Sequence, residues 1–272
     1  MLAVADTIFN RYGIHSVDDL IAWCGADPDS VRFLDNSYYR FVDYHCLKGC
    51  HYLSDLETDL YPVLSGDNYI SFTIDTDYKI NYDSDNDTYI CFHIPASNTP
   101  AKNGVVHAID DILPLTELEP TSILFETTDF FDIKHSDYYL KHYKRFFDGQ
   151  NTFEKIKWDG DYLLYYLKDE GENWNMKNDC LSMQGWWWIS VTFPKVMKGN
   201  YEVYVYQPSW SLPDCVVTLD GEPTGYIYRQ IGSGYQKVAD AYFPTVSEHT
   251  ITLRNIRVGF LFWDYVEFVP VN

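Results

Sequence analysis

The sequence predicts two domains: an α+β unit over residues 1–115, then an all-β sandwich over residues 121–272. Three observations carry this. Residues 1–120 hold 20 acids and 6 bases, residues 121–272 hold 20 acids and 14 bases, and two charge regimes in one chain point to two domains. Seven of the eight Trp lie in the second part, with only Trp23 in the first. Helical spacing gives way to alternating strands within the first part, whereas the second shows short strands throughout. The segment from Leu113 to Pro120 has a Pro near each end and two acids between, and reads as the join. Composition removes whole classes of function. The net charge of −20 argues against a duplex nucleic-acid partner, because neutralising phosphates takes basic surface. The 46% apolar content argues against disorder, and no apolar stretch approaches the roughly 20 residues needed to span a bilayer.

Along the first domain, Leu2 to Phe9 reads as a strand running into a short helix. Ser16 opens a helix as N-cap, with Asp19 placed to reach back in a capping box. A second helix follows Asn36, where Tyr38, Phe41, Val42 and His45 recur at helical spacing and Gly49 stands where a left-handed C-cap is wanted. The segments 69–74 and 88–94 alternate as strands, with a polar turn at 83–87. Gly104 to Asp110 reads as a short buried strand. Met1 to Ala5 is apolar but too short for a signal peptide and has no basic leader. The cysteines at 24, 46, 50, 91, 180 and 215 form no CxxC pair and leave the redox compartment open.

Three stretches of this domain are family-like. Asn103-Gly104-Val105-Val106-His107-Ala108-Ile109-Asp110-Asp111-Ile112-Leu113-Pro114 closely resembles the closing motif of the fasciclin domain. Tyr39 to His45, with Leu47 and Gly49, resembles that family's central helix and its Tyr-His pair, and Leu2 to Phe9 resembles its first motif. The family's usual helices before the first motif are missing here, so the expectation is a chain shortened at its front, with any export signal upstream. The resemblance implies an extracellular or cell-surface adhesion module, in which the region of Tyr44 and His45 is linked to partner binding. The residues themselves favour structure, since His45 lies on the apolar stripe of its helix.

In the second domain, Trp188 to Pro194 and Asn200 to Tyr206 are strand-like, joined by a turn at 195–199. Tyr201, Val203 and Val205 are expected to share one face. Val216 to Leu219 ends in Asp220-Gly221, a hairpin signal. Thr250 to Arg254 alternates with Ile251 and Leu253 on one side, and Phe262 to Phe268 reads as one closing strand. Several short strands without intervening helices predict a β-sandwich. Gly199 to Val203, Leu219-Asp220-Gly221, Glu248 to Leu253 and Phe262 to Phe268 resemble, in that order, the galactose-binding-like jelly rolls used as carbohydrate-binding modules. Many such modules open with alternating glutamates around a structural calcium; Phe125-Glu126-Thr127-Thr128-Asp129 supplies only one.

Sugar rings offer a face of C–H bonds that flat aromatic side chains match at low entropy cost. Trp186, Trp187, Trp188 and Trp210 are therefore the candidate carbohydrate contacts. Neighbouring residues of a strand point to opposite faces, so at least one of the three consecutive Trp belongs to the core, as does Trp263.

Other constellations read as structural. His45-Cys46 and Cys50-His51 offer four zinc-type ligands, but they do not share a helix face and Gly49 intervenes. Asp83 to Asp87 has the opening spacing of a calcium loop, yet Ile94 stands where a bidentate Glu belongs, so a hairpin tip is expected. Nucleotide-binding and hydrolase motifs are absent, and Gly232-Ser233-Gly234 reads as a turn. The sequence reading is thus a non-enzymatic cell-surface adhesion protein, with no cofactor or metal, that binds surface or extracellular glycan or protein through its sandwich. The implied location is the cell surface, as for a bacterial outer-surface lipoprotein whose signal lies outside this chain. An accessory protein of glycan uptake and a glycosidase fragment are the alternatives.

Overall fold

The computed structural model describes residues 1–65, 68–83, 86–116, 118–141, 143–149, 152–167, 178–208, 213–228 and 234–271. It divides into two compact units, Met1–Leu118 and Glu119–Asn272, a boundary inside the predicted join. No helix among the described residues is long and apolar enough to cross a membrane.

The first unit runs β1 (Leu2–Val4), α1 (Asp6–Arg11), α2 (Val17–Trp23), α3 (Ser37–Tyr44), β2 (Asp59–Pro62), β3 (Tyr69–Ile74), β4 (Tyr78–Asp83), β5 (Thr88–Cys91), β6 (Thr99–Ala101) and β7 (Gly104–Ile109). Ser16 Oγ accepts the Asp19 N–H at 3.1 Å, as a cap should. The returning bond differs from a strict capping box: Asp19 Oδ2 accepts from the N–H of His15, not of Ser16. Asn36 Oδ1 caps α3 through the Tyr38 N–H at 2.9 Å. That helix stops at Tyr44, with His45 as its C-cap, so Gly49 (φ +97°) belongs to the following turn and not to a C-cap. The strand expected over 88–94 ends at Cys91 because a 3₁₀ turn, Ile94–Ala96, follows. Strands β2-β3-β4-β5 form one antiparallel sheet, and β1-β7-β6 a second in which β1 runs parallel to β7 with Leu2 opposite His107. Leu2, Tyr44, Phe72, Ile80, Ile109 and Leu113 are buried together between these elements.

The second unit runs β8 (Ile123–Glu126), α4 (Phe131–Lys134), β9 (Lys144–Phe147), β10 (Ile156–Asp159), β11 (Leu163–Leu167), β12 (Asp179–Gly185), β13 (Trp188–Val196), β14 (Gly199–Tyr206), β15 (Cys215–Leu219), β16 (Glu222–Ile227), β17 (Tyr235–Phe243), β18 (Ser247–Asn255), β19 (Gly259–Trp263) and β20 (Tyr265–Pro270). A five-stranded sheet, β10-β13-β18-β15-β16, packs on two four-stranded sheets, β19-β12-β11-β9 and β17-β14-β20-β8. Phe193 of the first meets Trp263 of the second at 6.0 Å and Phe268 of the third at 6.4 Å between ring centroids. The expected inward faces hold: Tyr201, Val203, Val205, Ile251 and Leu253 are all buried.

Asp220 and Gly221 both have positive φ, +52° and +88°, which is the backbone a two-residue hairpin needs and which Gly supplies without strain. Asp220 also anchors the tip. Its Oδ1 accepts the Thr250 N–H at 2.8 Å and its Oδ2 meets His249 Nδ1 at 2.7 Å, while the His249 ring stacks on Phe243.

One strand prediction is corrected. Phe262 to Phe268 is not a single strand, because the chain changes sheets at buried Asp264, leaving β19 and entering β20. The crossing is held by backbone partners on either side. Thr127 donates its N–H to Asp264 O at 2.7 Å and its hydroxyl to Trp263 O at 2.6 Å, and the Asp264 N–H reaches Tyr206 O.

Candidate functional site

The three consecutive tryptophans meet three fates. Trp186 and Trp187 link β12 to β13, and only Trp188 lies inside a strand. Trp187 is 4% exposed, with its indole N–H on Gly259 O at 3.2 Å. It fills the core and offers no sugar platform, which corrects its place among the candidate contacts. Trp186 is 62% exposed, and Trp188 is part-exposed on the outer face of the five-stranded sheet. Trp263 is fully buried, in line with its expected core role. Trp210 lies outside the described residues, as do Gly232 and Ser233 of the expected turn.

Trp186 stands on a stiff rim at one end of the sandwich. Buried Asn255 clamps both sides of it: Asn255 Nδ2 donates to Gly185 O at 2.7 Å, and Asn255 Oδ1 accepts the Trp187 N–H at 3.0 Å. Gly160 passes so close that a Cβ there would stand 3.2 Å from Trp186 O and 3.2 Å from Trp187 Cβ. The backbone under the exposed ring is thus held on both sides, so little backbone entropy remains to be lost there on binding. Polar groups lie near its backbone. A Cβ on Gly185 would lie 3.7 Å from Asp161 Oδ2, and the Tyr162 hydroxyl donates to Gln184 Oε1 at 3.1 Å. The neighbouring β18–β19 turn exposes Ile256 and Val258, β19 exposes Phe260, and Arg257 of the turn lies 3.6 Å from Asp214. An exposed aromatic ring beside carboxylate, amide and hydroxyl groups is the composition that recognises a sugar.

The Tyr-His pair of the first unit is arranged otherwise. Tyr44 is fully buried, accepts Asn81 Nδ2 at 2.8 Å and donates to Tyr69 O at 3.3 Å. His45 is 4% exposed, its Nδ1 on Phe41 O at 2.8 Å and its ring against Phe41, while Nε2 is buried without a partner. Burial raises the Tyr44 pKa and lowers that of His45. Neither side chain presents itself to a partner at the surface of this fold, because the helix stripe that carries them is the buried one.

Metal ligation finds no support in the geometry. His45 Nδ1 is taken up by Phe41 O and the His51 ring reaches Lys48 O at 2.9 Å, so the two rings do not converge on Cys46 and Cys50. Asp83 and Asp87 accept hydrogen bonds from Asn86 and Tyr82 of their own hairpin, whose residues 84–85 lie outside the described set. Glu126 and Asp179 are buried, with Tyr165 donating to Asp179 at 3.0 Å, while Asp129 takes Tyr139 and Lys134. Among the described residues no group of three or more His, Cys, Asp or Glu is placed to hold a metal ion.

Comparison with known proteins adds the following. The fasciclin-domain family model matches residues 22–115. No curated protein matches the chain. Similar solved structures include a family 35 carbohydrate binding module from Clostridium thermocellum, at 9% identity and TM-score 0.32 over 47% of this chain and 98% of that one. Another is the CBM36-1 domain of a multidomain xylanase from the hindgut metagenome of Trinervitermes trinervoides, at 13% identity and TM-score 0.29 over 43% of this chain and 92% of that one. At TM-scores this low the likenesses carry no argument, and the sandwich stands on its own strands.

Proposed function

We propose, from the premise that residues 22–115 form a fasciclin domain, that this is a non-enzymatic cell-surface adhesion protein engaging surface or extracellular carbohydrate through the rim of its second unit. The adhesion half of this reading rests on the domain. The carbohydrate half rests on one observation, the 62% exposed ring of Trp186 on a backbone pinned by Asn255 and Gly160. Water disfavours leaving so large an apolar ring outside, and a fixed exposed aromatic bordered by polar groups is how a sugar face is met. Asp161, Tyr162 and Gln184 then supply the directional hydrogen bonds that choose among sugars. Extracellular display follows from the same reading.

A glycan array probed with the full chain tests it, followed by titration of the strongest hits. Binding that weakens in Trp186→Ala while the melting curve is kept supports the reading. No binding at millimolar sugar removes the carbohydrate half, and hydrolysis of a glycoside abolished by one carboxylate substitution removes the non-enzymatic half.

A further inference from the structure

The outer face of the five-stranded sheet carries a second aromatic row, on different strands from Trp186. Register places Asp159, Trp188, Arg254, Val216 and Tyr226 side by side across β10, β13, β18, β15 and β16. Strands lie about 4.8 Å apart, so the backbones of Trp188 and Tyr226, three strands apart, stand roughly 14 Å from one another. Tyr226 is exposed and stacks with Tyr228 at 5.7 Å. Arg254 is exposed directly beside Trp188, and no carboxylate pairs with it among the described residues. The adjoining rows are hydroxyls bonded to one another, Thr252 to Ser190 at 2.9 Å and Thr192 with Thr250 at 2.8 Å. The residues of the face include two aromatic rings, the exposed Asp159 on the edge strand, a guanidinium unpaired among the described residues, and small hydroxyls.

We infer that this face is a planar site for a polysaccharide chain bearing carboxylates, laid across the strands with sugar rings on Trp188 and Tyr226 and a carboxylate on Arg254. The inference rests on the carbohydrate reading above and extends it to a ligand class. Charge argues for the class. The chain's net charge of −20 repels anions overall, so the attraction has to be local: among the described residues Arg254 has no counter-ion, and it stands between two aromatic rings as the point where a carboxylate is favoured. A guanidinium also meets a carboxylate through two parallel N–H···O bonds, which a neutral sugar does not offer. The hydroxyl rows beside the rings are made of short side chains, which offer a sugar chain hydrogen bonds.

The test compares polygalacturonate and alginate with their methyl esters, which keep the backbone and remove the charge, by titration against the full chain at low salt. The expected result is tighter binding of the charged polymers, weakened by added salt. Arg254→Gln is expected to lower affinity for the charged form about tenfold, the loss of one charge-assisted contact, and to leave the esters unaffected. Trp188→Ala and Tyr226→Ala are expected to weaken both forms. Arg254 is exposed, so its variant reports on binding without threatening the fold. Equal affinity for charged and esterified polymers, or Arg254→Gln binding like the parent, overturns the inference. Binding lost in Trp186→Ala but untouched in Trp188→Ala and Arg254→Gln overturns it too and leaves the rim reading standing. The converse pattern supports it and removes the rim.

Discussion

Tyr44-His45 in the first unit and Trp186-Trp187-Trp188 in the second are both runs of adjacent ring side chains, and the protein treats them in opposite ways. On α3 and its C-cap, neighbours are about 100° apart, so Tyr44 and His45 both fit within one buried stripe. Between β12 and β13 the chain leaves one sheet and enters another past Gly185, at φ +90°, and the run divides into an exposed ring, a core ring and a sheet-face ring. Adjacent aromatics on a helix can therefore be wholly structural. A run that crosses between two sheets divides its rings between core and surface, and Trp186 is the most exposed tryptophan among the described residues.

The largest effect separates core from display. Trp263→Ala is expected to cost about 3–5 kcal/mol in chemical denaturation of the second unit, since a fully buried ring leaves a cavity at the junction of three sheets. A cost below about 1 kcal/mol would mean that the two tryptophan classes are not distinct.

Next comes the clamp. Asn255→Ala strips partners from the Trp187 N–H and Gly185 O, and is expected to cost about 1–3 kcal/mol and to loosen Trp186. Faster quenching of tryptophan fluorescence with weaker glycan binding would sharpen the comparison, whereas unchanged stability would break it. Gly221→Ala, at a backbone of φ +88°, is expected to cost about 1 kcal/mol by straining the hairpin tip, read as a shift in denaturation midpoint.

The buried imidazoles give the first unit a pH dependence. Desolvation holds His45 below its ordinary value of 6.5, with the Phe41 O contact opposing it, and does the same to His107 against its contact with His51 O. The unfolded chain then binds more protons than the folded one in the window beneath 6.5, so stability is complete above that pH and is lost as pH falls through the window. Hydrogen exchange of the α3 amides in the full chain is expected to quicken between neutral pH and pH 5.5, after correction for intrinsic rates, and His45→Gln is expected to flatten that slope. A slope undiminished by the substitution contradicts the assignment to His45, since His107 accounts only for what remains. The smallest effect belongs to Trp186→Ala, whose exposed ring is expected to change stability by no more than about 0.5 kcal/mol.

Much of this fold was legible in the sequence where one local rule acted alone. Ser16 and Asn36 cap helices, Asp220-Gly221 turns a hairpin, and the strands at 201–205 and 251–253 alternate as their burial requires. Signals failed where neighbouring structure overrode them. Strand β12 is buried on both faces from Asp179 to Met183, so it shows no alternation to read. The closing segment keeps strand character on both sides of Asp264 and hides the change of sheet, which is set by Thr127 and Tyr206 from distant parts of the chain. The site was half legible. Three adjacent tryptophans implied that at least one belongs to the core, but which one depends on Asn255 and Gly160, 69 residues after and 26 before Trp186.

The central claim is that Trp186 is displayed for binding and not for packing. The direct measurement is the ratio of glycan dissociation constants for Trp186→Ala and the parent chain, on whichever glycan the array selects, with melting curves recorded alongside. The account predicts superimposable melting curves and affinity reduced about tenfold or more, the loss of one stacking contact at the centre of a site. Equal affinities on a well-folded variant would contradict it.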